Sequence, residues 1–373
     1  MVDGLSLRSL ITEDGRLLLS LDKEHVPEPG PDEVVIRVEA APLNPTDHYQ
    51  MTGPADFSTL EQIELDGRPA LTMKVPSGAV PYVAARLGQS RVLGSEGAGE
   101  VVAAGVDVRG LLGKRVTVNP GGMFAQYRLI KAAACLELPP GVTSAEGAAA
   151  FVNPLTVLGF IETARSEGHS AIVHAAAASN LGQMLVRACQ ADGIQLVNIV
   201  RSERQVALLK SLGATHVLDS TQADFTPRLV DALAATGARL AFDPTGGGRM
   251  ASQILTAMEA AETRSNPGYL IYGTSTPKKV YIYGGLEGGP TILDRSYGFA
   301  WDVGGWLLFN FLSRVGAPTV ARLKQRVLNE LTTTFSSTYT RTISLRDIVD
   351  PTIFRAFQAR ATGEKYLVDP TRP

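Results

Sequence analysis

Residues able to do chemistry gather in two stretches of this sequence. The first is AAPLNPTDHYQMTG, residues 40–53, which brings Asn44, Asp47 and Tyr49 close together. An amide can orient a hydroxyl or a carbonyl, and a phenol can donate a hydrogen bond to a substrate oxygen or give up a proton. The same residues also suit a structural role, with Asn44 and Asp47 shaping a turn after a strand and Tyr49 lining a wall. The second stretch is AIVHAAAASNLGQM, residues 171–184. An apolar run gives way to small residues and then to helical spacing, so minimal side chains stand where a buried strand turns into a helix and a backbone can approach a pyrophosphate. Any tight helix–strand contact also selects Ala and Gly. About 20 residues beyond this turn, where dinucleotide sites usually carry an acid against the ribose 2'-hydroxyl, stands Arg201. A carboxylate there would repel a 2'-phosphate and a guanidinium can grip it, which predicts NADPH rather than NADH. Ser202 and Arg204 can add phosphate contacts, although Arg204 is equally a solvated residue at a helix start.

The elements that must position these residues follow from periodicity. Residues 33–41 alternate apolar and polar as a half-buried strand does, and 97–118 read as two more strands broken by glycine turns, so the first third is mainly β. From about Ser144 helical spacing sets in. Strand AIVH, helix LGQMLVRACQADG, strand LVNIV, helix QVALLKSLGA, strand HVLD, helix FTPRLVDALAATG and strand LAFD then follow in turn, the order of right-handed βαβ units in a parallel sheet. After about Leu331 strand-like alternation returns in TYTRTISL, and a last helix, PTIFRAFQARATG, precedes YLVD. The expected organisation is α/β: a β-rich domain of residues 1–142 completed by 331–373, and a doubly wound parallel-sheet domain of 143–330. Two segments, 54–92 and 262–280, read as long loops, either binding lids or solvated insertions.

A chain of 373 residues with 45% hydrophobic and 19% charged residues has the composition of a two-domain globular protein. Its formal net charge of -2 gives no electrostatic case for nucleic acid or an anionic membrane. Cys135 and Cys189 are the two cysteines and lack metal or disulfide spacing. The first residues show no basic-then-apolar leader and no stretch approaches a spanning helix, so a cytoplasmic protein is expected. His48 reads as a polar loop residue and His174 as structural.

Aligned as AAASNLG, residues 176–182 resemble the AAAGGVG turn of zinc-independent medium-chain reductases, with Ser179 and Asn180 in place of two glycines and Gly182 retained. FAQYRLI (124–130), LPPGVTSAEGAAAFVNPLTVLGF (138–160) and ALLKSLGATHVLD (207–219) extend the resemblance to the medium-chain dehydrogenase/reductase superfamily over nearly the whole chain. It is similar above all to quinone oxidoreductases, relatives of the 2-enoyl thioester reductases. The resemblance implies a GroES-like catalytic domain and a Rossmann domain that binds NADPH. The cofactor contacts it implies are Asn153, Thr156, Ala177, Ser179, Asn180, Leu181, Gly182, Arg201, Ser202, Arg204, Pro244, Thr245, Gly246, Tyr283 and Gly284.

Metal-dependent relatives carry zinc ligands at positions that this resemblance gives to Asn44, Ser95 (in GSEGAG where the pattern is GHEGAG) and Asn153. None is a soft or imidazole donor, so no metal is expected. Charge made by hydride transfer must then be met by hydrogen-bond donors, which suits electron-poor acceptors. Tyr49 matches the tyrosine of the quinone oxidoreductase Asn-x-x-Asp-x-Tyr segment and, with Asn44, is the implied catalytic pair; Asn44 would orient the nicotinamide ribose or a substrate carbonyl. Enoyl thioester reductases place their tyrosine in a later Gly-x-Tyr loop, and here MTGPADF has none, leaving Tyr82 in the 54–92 segment as the alternative. The expected function is NADPH-dependent reduction of a quinone or activated enone, a small-molecule substrate, by a homodimer. The alternatives are a 2-enoyl thioester reductase and a catalytically weak NADPH-binding sensor or structural protein.

Overall fold

A computed structural model describes residues 1–265, 271–358 and 364–373. Residues 266–270 of the 262–280 segment and residues 359–363 at the end of the expected last helix lie outside the described residues. The chain forms two compact units, Met1–Val152 with Val327–Pro373, and Asn153–Arg326.

The first unit is built on two sheets. Its central strand, Glu33–Pro42, turns Val34, Ile36 and Val38 inward between the half-buried Arg37 and Glu39, as the alternation requires. This strand pairs antiparallel with Gly97–Ala104, Tyr127–Lys131 and Tyr366–Val368. Gly99 allows that approach, because a Cβ there would stand 2.0 Å from the Arg37 carbonyl oxygen. The Val368–Ala41 pairing and the Leu43 N–H donating to the Tyr366 carbonyl at 3.0 Å fix the backbone that leads into Asn44. The second sheet orders Asp56–Leu65, Arg68–Lys74, Arg16–Val26, Val2–Ile11 and Arg91–Val92. Leu7, Ile11, Leu17, Leu19, Leu71 and Met73 are fully buried in the core of this unit.

The segment 54–92, expected to be a loop, mostly is not one. Residues 56–74 form an antiparallel hairpin that extends the second sheet, and Ser77–Arg86 form a 3₁₀ helix. The hairpin turns on Asp66-Gly67, both in the left-handed region with φ 52 and 72. A two-residue Asp-Gly connection is what a type I′ hairpin demands, since its twist matches that of the strands.

The second unit carries a six-stranded sheet: β1 (Ala171–His174), β2 (Gln195–Val200), β3 (His216–Asp219), β4 (Leu240–Asp243), β5 (Lys278–Ile282) and β6 (Trp301–Gly305). All its pairings are parallel and the spatial order is 3-2-1-4-5-6. This is the doubly wound order of dinucleotide-binding sheets, whose ligands sit beyond the carboxyl ends of the strands where the order reverses, between β1 and β4. The helical run after Ser144 breaks into Ser144–Gly147 and Val152–Ser166. A longer helix, Leu308–Asn329, closes the unit and is kinked at Gly316, φ 77, ahead of Pro318.

Candidate functional site

In the second unit, the turn after β1 is shaped for close approach. Ala176 holds a left-handed φ of 48, a conformation costly for a residue with a Cβ. Ser179 then caps the helix Asn180–Asp192, its Oγ accepting the Gly182 N–H at 3.1 Å. A Cβ on Gly182 would lie 2.1 Å from the Ala177 carbonyl oxygen, so only glycine lets the helix seat this tightly. Ala177 is buried, while Asn180 and Leu181 are half-buried in the first turn. The substitution of Ser for Gly thus supplies a cap, and the helix N-terminus keeps its positive end at the mouth of β1.

At the end of β2, Arg201 is exposed, and among the described residues no carboxylate holds its guanidinium. Its backbone N–H donates to Gln205 Oε1 at 2.8 Å, and Ser202 caps the following helix, Glu203–Ser211. Arg204 is exposed in the first turn of that helix.

Beyond β4 and β5 the backbone is again held by glycines. A Cβ on Gly246 would meet the Gly284 carbonyl at 2.5 Å, and one on Gly284 the Pro244 carbonyl at 2.7 Å. Thr245 donates both its N–H and its hydroxyl to Asp243 Oδ1, at 2.8 and 2.5 Å. Asp243 Oδ2 is buried without a protein partner, and burial raises this carboxyl above its usual range. The Tyr283 hydroxyl pairs with His174 Nε2 at 2.7 Å, and its ring meets Phe160 edge-on. Burial lowers His174 to about 3, so this imidazole is neutral at physiological pH. Asn153 and Thr156 are buried on the helix Val152–Ser166.

In the first unit Asn44 is the N-cap of the helix Pro45–Thr52, and the Asp47 side chain reaches back to its backbone. Asp47 Oδ2 accepts the Asn44 N–H at 2.9 Å, and Oδ1 accepts the Ser95 N–H and hydroxyl at 2.8 and 2.6 Å. Asn44 Nδ2 donates to Glu96 Oε1 at 2.9 Å, and Glu96 Oε2 receives the N–H groups of Phe151 and Val152 at 2.8 and 3.0 Å. Asn44 Oδ1 is left buried without a protein partner. Burial pushes the Asp47 carboxyl up to about 6 against the pull of the Ser95 hydrogen bonds, and raises Glu96 as well. Lys365, from the C-terminal segment, is brought down to about 8 by burial, with Glu96 and then Asp47 holding it up. This buried network of Glu96 and Lys365 was not anticipated in the sequence.

Tyr49 lies on the same helix with 71% of its surface exposed. Tyr82, on the 3₁₀ helix, is exposed as well. His48 is not a loop residue: it is buried on the helix with its ring edge-on to Phe357 at 5.1 Å. The donor set does not fit zinc. Asn44 spends its amide on Glu96, Ser95 spends its hydroxyl on Asp47, and neither offers a soft or imidazole lone pair. The phosphate turn, by contrast, fits a dinucleotide: a capped helix N-terminus, a glycine seat and a free guanidinium at the end of the neighbouring strand.

Family models match both units: the alcohol dehydrogenase GroES-like domain over residues 30–140 and the zinc-binding dehydrogenase over 181–280. A trans-enoyl reductase of Aspergillus terreus is 30% identical over 60% of this chain and 71% of its own length. A quinone oxidoreductase of Pseudomonas aeruginosa is 29% identical over 59% of this chain, and the chain spans 60% of that relative's length. A solved structure from Mesorhizobium loti, provisionally named an NADPH:quinone reductase, superposes with a TM-score of 0.71 at 26% identity, covering 99% of this chain and 98% of that one. The chain belongs to the medium-chain dehydrogenase/reductase family, on its quinone-oxidoreductase-like side. Its fold is the family's pairing of a GroES-like domain with a Rossmann-type parallel sheet.

Proposed function

We propose that this protein is an NADPH-dependent oxidoreductase that passes a hydride to a quinone or activated enone without a metal. The observation that carries the reading is the exposed, uncommitted Arg201 at the end of β2, beside a capped helix N-terminus at the end of β1. When bound, the dinucleotide supplies the hydride. The helix N-terminus at Ser179–Gly182 receives the pyrophosphate, Arg201 with Ser202 and Arg204 takes the 2'-phosphate, and the glycine-lined ends of β4 and β5 at Pro244–Gly246 and Gly284 give the backbone room beside the nicotinamide half. Tyr283 contributes through its backbone, since its hydroxyl is committed to His174. In the first unit, Tyr49 donates a hydrogen bond to the substrate oxygen. Glu96 orients the Asn44 amide with its carbonyl unpartnered, so Asn44 accepts from a ligand donor. A homodimer joined along the open edge strand β6 and a cytoplasmic setting, in keeping with two unpaired cysteines, complete this reading.

The trans-enoyl reductase relative favours a second reading, reduction of an enoyl thioester. Titrating NADPH and NADH by nicotinamide fluorescence, then assaying turnover on quinones, enones and enoyl-CoA, separates the two. NADPH binds more tightly than NADH, and Arg201→Gln cuts that preference about 10-fold, the low end for a charge-assisted contact because the group is exposed. Equal affinity for both dinucleotides defeats the proposal.

A further inference from the structure

Arg86 is a half-buried cation of the first unit without an acidic partner among the described residues. It ends the 3₁₀ helix Ser77–Arg86 and is half-buried, and its Nη2 donates to Ser9 Oγ at 3.2 Å and to the Gln50 carbonyl at 3.4 Å. Its Nε is buried without a protein partner. Ser9 in turn donates to the Met51 carbonyl at 3.0 Å, so the guanidinium is braced against the helix that bears Tyr49. Among the described residues no carboxylate lies within ion-pair distance of it. Burial, and next the charge of Arg91, both work against its ionisation. Arg91 is itself exposed and free of any carboxylate among the described residues.

Withdrawing a guanidinium from water costs free energy that a counter-charge normally offsets. Arg91 pairs with Ser9 across the sheet, and Arg86 bonds the Ser9 hydroxyl, so two arginines stand about one serine without an acid, a setting that suits an anion. Gly53 keeps it open: its φ is 50, and a Cβ there would stand 3.2 Å from Arg86 Nη1. We propose that Arg86, supported by Arg91, binds a negatively charged oxygen group of the substrate beside Tyr49, so that the natural acceptor is an anionic quinone, enone or thioester carrying a sulfonate-, carboxylate- or phosphate-like group. The proposal rests on the reductase reading for the word substrate, and on the first unit alone for the anion site.

The test pairs 1,4-naphthoquinone with 1,4-naphthoquinone-2-sulfonate as acceptors and compares the ratio of their kcat/KM values between proteins, which cancels their different reactivities. Arg86→Gln lowers the sulfonate-to-neutral ratio about 10- to 100-fold, the range of a partly buried charge-assisted contact. Arg86→Lys recovers part of it, and Arg109→Gln, an exposed arginine elsewhere in the unit, leaves it unchanged. Calorimetric titration with 2-naphthalenesulfonate, which accepts no hydride, reads the site independently. Binding that Arg86→Gln weakens supports the anion site even where no acceptor turns over, an outcome that overturns only the reductase reading. Should Arg86→Gln not fold, the same titration on the wild-type protein from 50 to 500 mM salt decides, an affinity independent of salt counting against the site. An unchanged ratio with unchanged sulfonate binding in a folded Arg86→Gln overturns the proposal.

Discussion

Lys278 offers a measurable account of how the second unit holds residues 274–278 against the helix Met250–Ser265. Its ammonium is fully buried and donates to Glu259 Oε2 at 2.7 Å, to Thr274 Oγ1 at 3.1 Å and to the Thr276 carbonyl at 2.9 Å. Thr274 returns its N–H and hydroxyl to the two Glu259 oxygens, each at 2.7 Å. Strand β5, the helix Met250–Ser265 and residues 274–276 are thereby joined in one closed network. Lys278→Met removes the cation and strands a buried carboxylate, for which the cost is about 3–5 kcal/mol. The two Thr274 bonds remain, so the low end is expected, roughly 3 kcal/mol. The pH dependence has a definite sign. Glu259 titrates below its ordinary value in the folded protein, burial opposing and the Lys278 and Thr274 bonds outweighing it. Its contribution is therefore complete above the unfolded carboxylate range, near pH 4.3, and is lost as pH falls through the lower folded value. In Lys278→Met the folded pKa rises instead, so the deficit is largest at pH 7 and shrinks as Glu259 becomes protonated on the way to pH 4.5. Urea denaturation followed by Trp301 and Trp306 fluorescence at both pH values reads this. A deficit below 1 kcal/mol at pH 7, or one that is flat with pH, refutes the reasoning, and Lys278→Met with Glu259→Gln, which recovers stability, confirms the coupling.

Gly182→Ala places a Cβ roughly 1 Å inside ordinary contact with the Ala177 carbonyl, so the helix Asn180–Asp192 must shift; a loss of about 1–3 kcal/mol and weaker NADPH binding are expected, read by thermal unfolding and fluorescence titration. Unchanged values for both would show that the seat is loose. In the first unit, Asp47 titrates near 6 in the folded protein, so its neutral form stabilises the fold fully below about pH 4 and that contribution disappears as pH rises through 6; Asp47→Asn flattens this part of the stability profile, and a wild-type profile already flat between pH 4 and 7 excludes it.

The parallel sheet was legible because each of its strands is a short apolar run followed by a helix of matching period, a signal contained within each βαβ unit. The positions of Gly182 at the turn after β1 and of Arg201 at the end of β2 are legible for a related reason: their spacing from β1 is set by local geometry. The hairpin 56–74 was misread, although Asp66-Gly67 announces its turn, because strands such as DFSTLEQIEL carry mixed polarity and only Leu60 is buried in it. The network around Asn44 was half visible. Asn44 and Asp47 are joined by a local bond at a helix start, but Glu96 and Lys365 join them only through strand pairing across the length of the chain, and a lone acid in GSEGAG carries no mark of burial. Arg86 is not legible in the sequence, because an arginine in a polar segment looks solvated until its lack of an acid is seen in three dimensions.

The pairing of Tyr366–Val368 with the strand that leads into Asn44 bears on how the molecule is made. On the ribosome, that strand emerges early yet must wait, one edge open, while the whole parallel-sheet unit is synthesised after it and can fold from contiguous chain. Residues 366–368, made after that unit, then complete the backbone that leads into Asn44. Completion of the first unit is in this way postponed until the second has been synthesised, and loss of residues 366–368 would leave that strand unpaired while sparing a parallel sheet that needs none of them.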